Sequence, residues 1–213
     1  MTFIPDTATI LQFAIATFII SITPGPDMTL FVGRALSQGR AAGFACMSGA
    51  FTGILIHTTL VALGLSALIV ASPQAFLVLK IGGALYLVWL AWQAIRHGSA
   101  FSPERKRGAA NTLFQNWATG LGINLLNPKI ILFFMTFLPQ FVSPHDPHAP
   151  GKLFFLGVLF IVLALPLTAP MVIAADRFAG LLKKNPKATR VVDYLFAGVF
   201  SVFALKILTA QAK

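Results

Sequence analysis

Three ionisable residues stand inside stretches that are otherwise apolar: Asp27, His57 and Lys129. A charge near the centre of a bilayer costs about 2.5–3.5 kcal/mol even on the lenient insertion scale, so it faces the protein interior and has a partner. Two of the three keep unusual company. Asp27 follows Pro24, Gly25 and Pro26, and Lys129 follows Asn127 and Pro128. An acid and a base in matching slots can hold the two ends of a zwitterion, or each other. The imidazole of His57 can carry a proton at physiological pH; a buried histidine satisfied by a neighbouring carbonyl or hydroxyl is the equally common alternative. Asp27 and His57 are the candidates for proton coupling.

The elements that must position these groups follow from composition. The 213 residues are 57% hydrophobic and only 10% charged, with a mean hydropathy of +0.82. A soluble domain is about half apolar and a quarter charged. No single core can hide that surplus, so the chain reads as an integral membrane protein. Six apolar runs, at roughly 7–32, 43–67, 74–95, 112–141, 152–174 and 194–210, are near or above the ~20 residues that cross the hydrocarbon core. They lack the strict alternation of barrel strands, which leaves an all-α fold of six transmembrane helices. The first run has no basic flank and no small-residue cleavage site, so it is expected to remain as a helix.

Sixteen basic residues against six acidic ones give a formal charge of +10, but their placement argues against nucleic acid as a partner. Arg34 and Arg40 follow span one; Arg96, Arg105, Lys106 and Arg107 follow span three; Arg177, Lys183, Lys184, Lys187 and Arg190 follow span five. The opposite loops carry only Lys152, with Lys206 and Lys213 near the C-terminus as mild opposition. Basic loops stay cytoplasmic, which puts both termini on the extracytoplasmic side and lets the basic loops meet anionic lipid.

The chain also repeats itself. "PDMTLFVG" from Pro26 matches "PKIILFFM" from Pro128, and "GGALYLV" from Gly82 matches "AGVFSVF" from Ala197. A single transmembrane domain, 1–213, thus divides into repeat one at about 7–97, a cytoplasmic loop at 98–111 and repeat two at about 112–210. Three spans per repeat is an odd number, so the copies must face opposite ways, as in many secondary transporters. The first helix of each is expected to break. Pro24 and Pro26 each remove a backbone donor, Gly25 between them is permissive, and Asn127 before Pro128 favours extended backbone and a fresh helix start. Irregular backbone at membrane depth must be buried or line a watery cavity. Lys129 is expected near the middle of span four, and Asp27, about 10 Å from Arg34, closer to the cytoplasm. Two compatible readings follow: a salt bridge pinning the repeats, or a substrate site and gate. In the second, a carboxylate meets half-helix N-termini or Lys129, and an ammonium meets Asp27 or the freed carbonyls.

"TPGPDMTLFVGRALSQGRAAGFACMSGAFTG", 23–53, and "NLLNPKIILFFMTFLPQFV", 124–142, resemble the two signatures of the LysE/RhtB superfamily of amino-acid exporters. "GGALYLVWLAWQAIR" is similar to its third-helix pattern, and the homoserine/threonine branch is the nearer one. The resemblance implies efflux of small amino acids or derivatives from the bacterial cytoplasm across the inner membrane in exchange for protons. It also implies that Pro24, Gly25, Pro26, Asp27, Asn127, Pro128 and Lys129 are core positions for substrate binding or gating. Many members carry Asn where this chain has Asp27.

Asn116 and Asn124 either line the cavity or hydrogen-bond between helices. Gly49 and Gly53 form a small-residue face for helix packing, and the glycine faces serve either a homodimer or packing within one chain. Cys46 is a lone cysteine, which excludes disulfide chemistry and leaves it as packing. Pro166 and Pro170 kink span five, and Asp176 and Asp193 pair with the last basic loop. "HDPH" from His145 supplies His-Asp-x-His, but its two prolines and loop setting argue against a metal cage. No nucleophile with its base and no phosphate-cradling loop is present, so neither an enzyme nor a cofactor is expected. The runner-up functions are export of another small solute or a divalent cation, for which the spans lack a ligand cluster, or a non-transporting assembly factor.

Overall fold

A computed structural model describes residues 3–23, 25–65, 111–143 and 146–175, with single helical positions between 81 and 92 and between 177 and 201. Pro24, His145, Asp176, Asp193, residues 98–110 and most of spans three and six lie outside the described residues. All regular structure among the described residues is helical.

Helix α1 (Thr7–Ile22) starts where Asp6 accepts from the backbone N–H and hydroxyl of Thr9, at 3.0 and 2.7 Å. Helix α2 (Pro26–Gln38) begins on a proline, whose missing N–H is harmless in a first turn. The two axes differ by 50°. Gly39 stops α2 with φ +91°, a conformation costly to any other residue, and α3 (Arg40–Leu60) starts at once, ending in a wide π-helical turn at Val61–Leu65.

The same order then recurs. Helix α4 (Leu113–Leu126) opens with a reciprocal cap between Thr112 and Gln115. It stops at Asn127, whose extended backbone is what a following proline imposes. Helix α5 (Pro128–Leu132) restarts after a 56° bend and runs on through a π-helical turn at Phe133–Phe137 and a 3-10 turn at Leu138–Phe141. Helix α6 (Ala149–Ile173) is continuous through Pro166 and Pro170. Residues 40–64 and α6 are each 25 residues, long enough to cross a bilayer. Each bent pair, taken as one unit, is also long and apolar enough to cross. Ile81, Leu85, Val88 and Trp92 are helical and exposed at three- and four-residue spacing, the pattern of one apolar helix face.

Two apolar clusters hold the described helices together. One gathers Phe13, Ile20, Ile54, Ile130, Phe133, Phe134, Phe160 and their neighbours; the other gathers Met28, Phe31, Val32, Cys46, Met47, Ala50 and Val172. Between α3 and α4 the backbones touch. A side chain on Gly49 would strike the Trp117 carbonyl, and one on Gly120 the Cys46 carbonyl. The expected small-residue face of α3 is thus used within the chain.

Candidate functional site

Pro24 is the fourth residue after Ile20 and has no N–H, so the Ile20 carbonyl loses its helical donor. The Thr23 carbonyl lies past the end of α1. Lys129, from the second half of the chain, supplies both: its Nζ donates to the Ile20 carbonyl at 3.2 Å and the Thr23 carbonyl at 3.0 Å. A cation suits that end of a helix, where unpaired carbonyls leave partial negative charge. Asn127 holds Lys129 in turn, its Oδ1 accepting from the Lys129 backbone N–H at 3.0 Å.

This arrangement corrects two expectations. The freed carbonyls are filled by Lys129 rather than left for a ligand. Gly25 is not needed for its conformation, because its φ of −165° is extended backbone open to any residue. Gly25 supplies space: a Cβ there would lie 3.0 Å from the Lys129 Nζ.

Asp27 accepts from the Asn124 side-chain amide, Oδ2 to Nδ2 at 2.8 Å. Its other oxygen, Oδ1, is buried without a hydrogen-bond partner. Asp27 and Lys129 do not form the direct salt bridge that was one sequence reading; they act on each other at longer range, and His57 also acts on Asp27 electrostatically. His57 is buried on α3, stacked on Phe134 with ring centroids 6.1 Å apart, and its Nε2 is unpaired. The Asn124 Oδ1 is likewise buried and unpaired, and the Asn127 Nδ2, outside full hydrogen-bond geometry, acts on the Asp27 carboxylate. Gly53 makes room for Asn124, because a Cβ at Gly53 would collide with that side chain.

A cavity of about 50 Å³ lies between the two apolar clusters. Asp27, Asn124, Lys129, Ser21, Thr23 and Thr168 give it a polar side, and Met28, Phe31, Phe51, Ile54, Ile130 and Phe160 an apolar one. At roughly 10–15 Å³ of such volume per water, it holds a few waters and is too small for an amino acid. On the α1 N-terminal side of the break, Phe13, Phe133, Phe137, Phe141 and Phe160 stack with neighbouring centroids 4.9–5.9 Å apart.

Asn116 is not in the cavity. Its amide donates to the Gln38 Oε1 at 3.1 Å and to the Asn111 carbonyl at 3.4 Å, and the Asn111 backbone N–H donates to the same Gln38 oxygen at 3.0 Å. The guanidinium of Arg34 stands 3.1 and 3.2 Å from the Asn111 side-chain amide, whose oxygen accepts from both nitrogens when turned toward them. Sequence reasoning missed Gln38 and Ser21, which carry no proline or charge to mark them. It also missed the Ile20 and Thr23 carbonyls as the seat of Lys129, although the donor missing from Pro24 announced the first.

Of the "HDPH" loop, Asp146 accepts from the Lys152 ammonium at 2.6 Å and the His148 backbone N–H at 2.8 Å. No cluster suited to a metal ion occurs among the described residues. The Lys152 hydrogen bond first, then the His148 N–H, holds the Asp146 carboxyl below the usual carboxylate range. A folded value below the unfolded one stabilises the loop fully above the unfolded pKa of about 3.9 and loses that stabilisation as pH falls through the folded value. The protection factors of the Asp146, His148 and Ala149 amides, which are exchange rates corrected for intrinsic pH dependence, should therefore fall on going from pH 5 to pH 3, and in Asp146→Asn they should be low at both. Equal protection of wild type and variant at pH 5 would show that the loop is held by other contacts.

Residues 18–211 match the model of the LysE type translocator family. The homoserine/homoserine lactone efflux protein of Salmonella typhimurium strain LT2 is 29% identical over 205 residues, covering 93% of this chain and 95% of that protein. The leucine efflux protein of Klebsiella pneumoniae is 25% identical over 203 residues, 95% of each chain. An uncharacterized membrane protein of Vibrio cholerae is 29% identical over 206 residues, covering 95% of this chain and 97% of its own. No solved structure matches the chain.

Proposed function

The chain belongs to the LysE type translocator family, and from that premise we propose that it exports small amino acids or close derivatives, of the threonine, homoserine and leucine class, in exchange for protons. It is a membrane transporter of that family, not an enzyme. The observation that carries the proposal is the buried Asp27 carboxylate and the Lys129 ammonium in the wall of one cavity between the two halves of the chain. In this reading the substrate carboxylate goes to Lys129, its ammonium to Asp27, and its side chain to the apolar wall at Met28, Phe31, Phe51 and Phe160.

One carboxylate then serves two ligands in turn. Ionised Asp27 takes the substrate ammonium on the cytoplasmic side. A proton from outside neutralises Asp27 and releases the substrate, and the proton leaves to the cytoplasm on the return. The cavity must widen to admit the substrate. In this reading the two repeats are inverted copies that rock against each other, and the stacked phenylalanines close the outer side. The recurring order of bent pair and long helix supports the repeat. Phe3 packs edge-on against His148 with centroids 5.4 Å apart, which supports placing the N-terminus and the α5–α6 loop on one side, outside. Arg34, Gln38, Arg40 and Asn111 cluster at the other end, the cytoplasmic side of a bacterial inner membrane. The α3–α4 crossing takes up glycine faces within the chain, and a homodimer would use other surfaces.

The test is efflux from preloaded vesicles holding the purified protein, with a panel of amino acids and with or without a proton gradient. Gradient-driven efflux of a small amino acid is expected. Folded, inserted protein that moves none of the panel would overturn the reading.

A further inference from the structure

We infer that the broken C-terminal end of α1 is a binding site for an ammonium-type cation, and that Lys129 is its tethered occupant. Three features build the site. The Ile20 carbonyl has no helical donor because Pro24 lacks an N–H, and it and the Thr23 carbonyl converge on one point, 3.2 and 3.0 Å from Nζ. Gly25 leaves the space beside that point open, since a Cβ there would be 3.0 Å from Nζ. Asn127 sets the backbone from which Lys129 reaches across more than a hundred residues of sequence.

The chain thus fills from within a place where a broken membrane helix would otherwise take a cation from solution. Two consequences follow. Sodium or potassium has no role there, because a covalently attached ammonium is already seated. And, resting on the proposed function, a substrate ammonium is barred from these carbonyls and directed to Asp27, which fixes which way round a zwitterion sits.

Replacing Lys129 with Ala removes a fragment the size of n-propylammonium, so the amine can be returned as a free ion. Full-length wild type and Lys129→Ala are purified in detergent, and their melting temperatures are followed against n-propylammonium chloride. Tetramethylammonium chloride, a cation without N–H donors, is the control at equal ionic strength. Lys129→Ala is expected to melt below wild type and to be restored by a few degrees, saturably, by n-propylammonium alone, while wild type does not respond. Equal responses of wild type and variant, or an equal effect of tetramethylammonium, would overturn the inference.

Should Lys129→Ala fail to fold, acylation by an amine-reactive reagent followed by peptide mass spectrometry decides on wild type. Lys129 should stay unmodified while exposed Lys187 reacts. Lys129 modified as fast as Lys187 in wild type would overturn the site. Neither readout needs transport. Rescue without amino-acid efflux leaves the site standing and removes the proposed function; efflux without rescue or protection does the reverse.

Discussion

Gly120→Ala is expected to destabilise the protein by about 2 kcal/mol, or to prevent its folding, while Gly122→Ala two residues away is neutral or slightly stabilising. At Gly120 a new Cβ would run into the backbone carbonyl, carbonyl carbon and Cα of Cys46; at Gly49 on the facing helix it would run into the Trp117 carbonyl and the Leu121 nitrogen. These are backbone atoms and cannot swing aside as a side chain would. Relief requires α3 and α4 to separate, which would also pull Gly53 from Asn124 and so disturb the amide that holds Asp27. Overpacking a well-fitted core costs about 1–3 kcal/mol, occasionally more, and the gain in helix propensity from Gly to Ala, about 1 kcal/mol, only partly offsets it. At Gly122 nothing lies within 4 Å of the added methyl, so the propensity gain stands alone. Unfolding of wild type and the two variants in mixed micelles checks this, and Gly120→Ala unfolding together with Gly122→Ala would mean that the crossing is looser than the carbonyl contacts require.

The contrast between these two glycines shows where the sequence stops speaking. Both read as small residues in an apolar run, and only the position of a helix far along the chain separates them. The breaks were legible because Pro24-Gly25-Pro26 and Asn127-Pro128 combine a missing donor with a second local signal, and bends of 50° and 56° follow there, whereas α6 runs on through Pro166 and Pro170. Span ends were less legible. Hydropathy ends span one near Val32, yet α2 runs to Gln38, because Arg34, Ser37 and Gln38 continue the helix as polar residues at the interface. Gly39, not hydropathy, ends it. The π-helical turn at Phe133–Phe137 has no local signature, and its shape comes from phenylalanines packing onto α1 and α6. At the site, sequence marked Asp27 and Lys129 by charge and left two readings open, a salt bridge between them or a substrate site and gate. The geometry gives Lys129 to main-chain carbonyls and Asp27 to Asn124, and side-chain charge alone could not reveal a carbonyl as a partner.

Asp27→Asn is expected to abolish proton-driven accumulation of the exported amino acid and to weaken its apparent affinity by about tenfold to a hundredfold. The second figure is the loss of one hydrogen bond to a charged group, about 1.5–3 kcal/mol. The substitution keeps size and can keep the contact with Asn124, so the fold should survive and the readout is not confounded by packing. What Asn cannot do is alternate between a bound ammonium and a bound proton. Efflux down the amino acid's own gradient should persist at reduced rate and become insensitive to pH, measured in vesicles with the outer pH varied from 5 to 8. Lys129 and His57 are the two other titratable groups that act on this carboxylate, so each needs its own control. His57→Gln should retain coupled efflux. If Asp27→Asn keeps full coupling and His57→Gln loses it, the proton is carried by the imidazole on α3, and Asp27 serves only to hold the substrate and the Asn124 amide. If both lose coupling while exchange continues, the two groups carry one proton jointly across the buried, unpaired atoms Asp27 Oδ1 and His57 Nε2. In each case the residue whose loss removes pH dependence without removing exchange is the one on which proton and substrate compete.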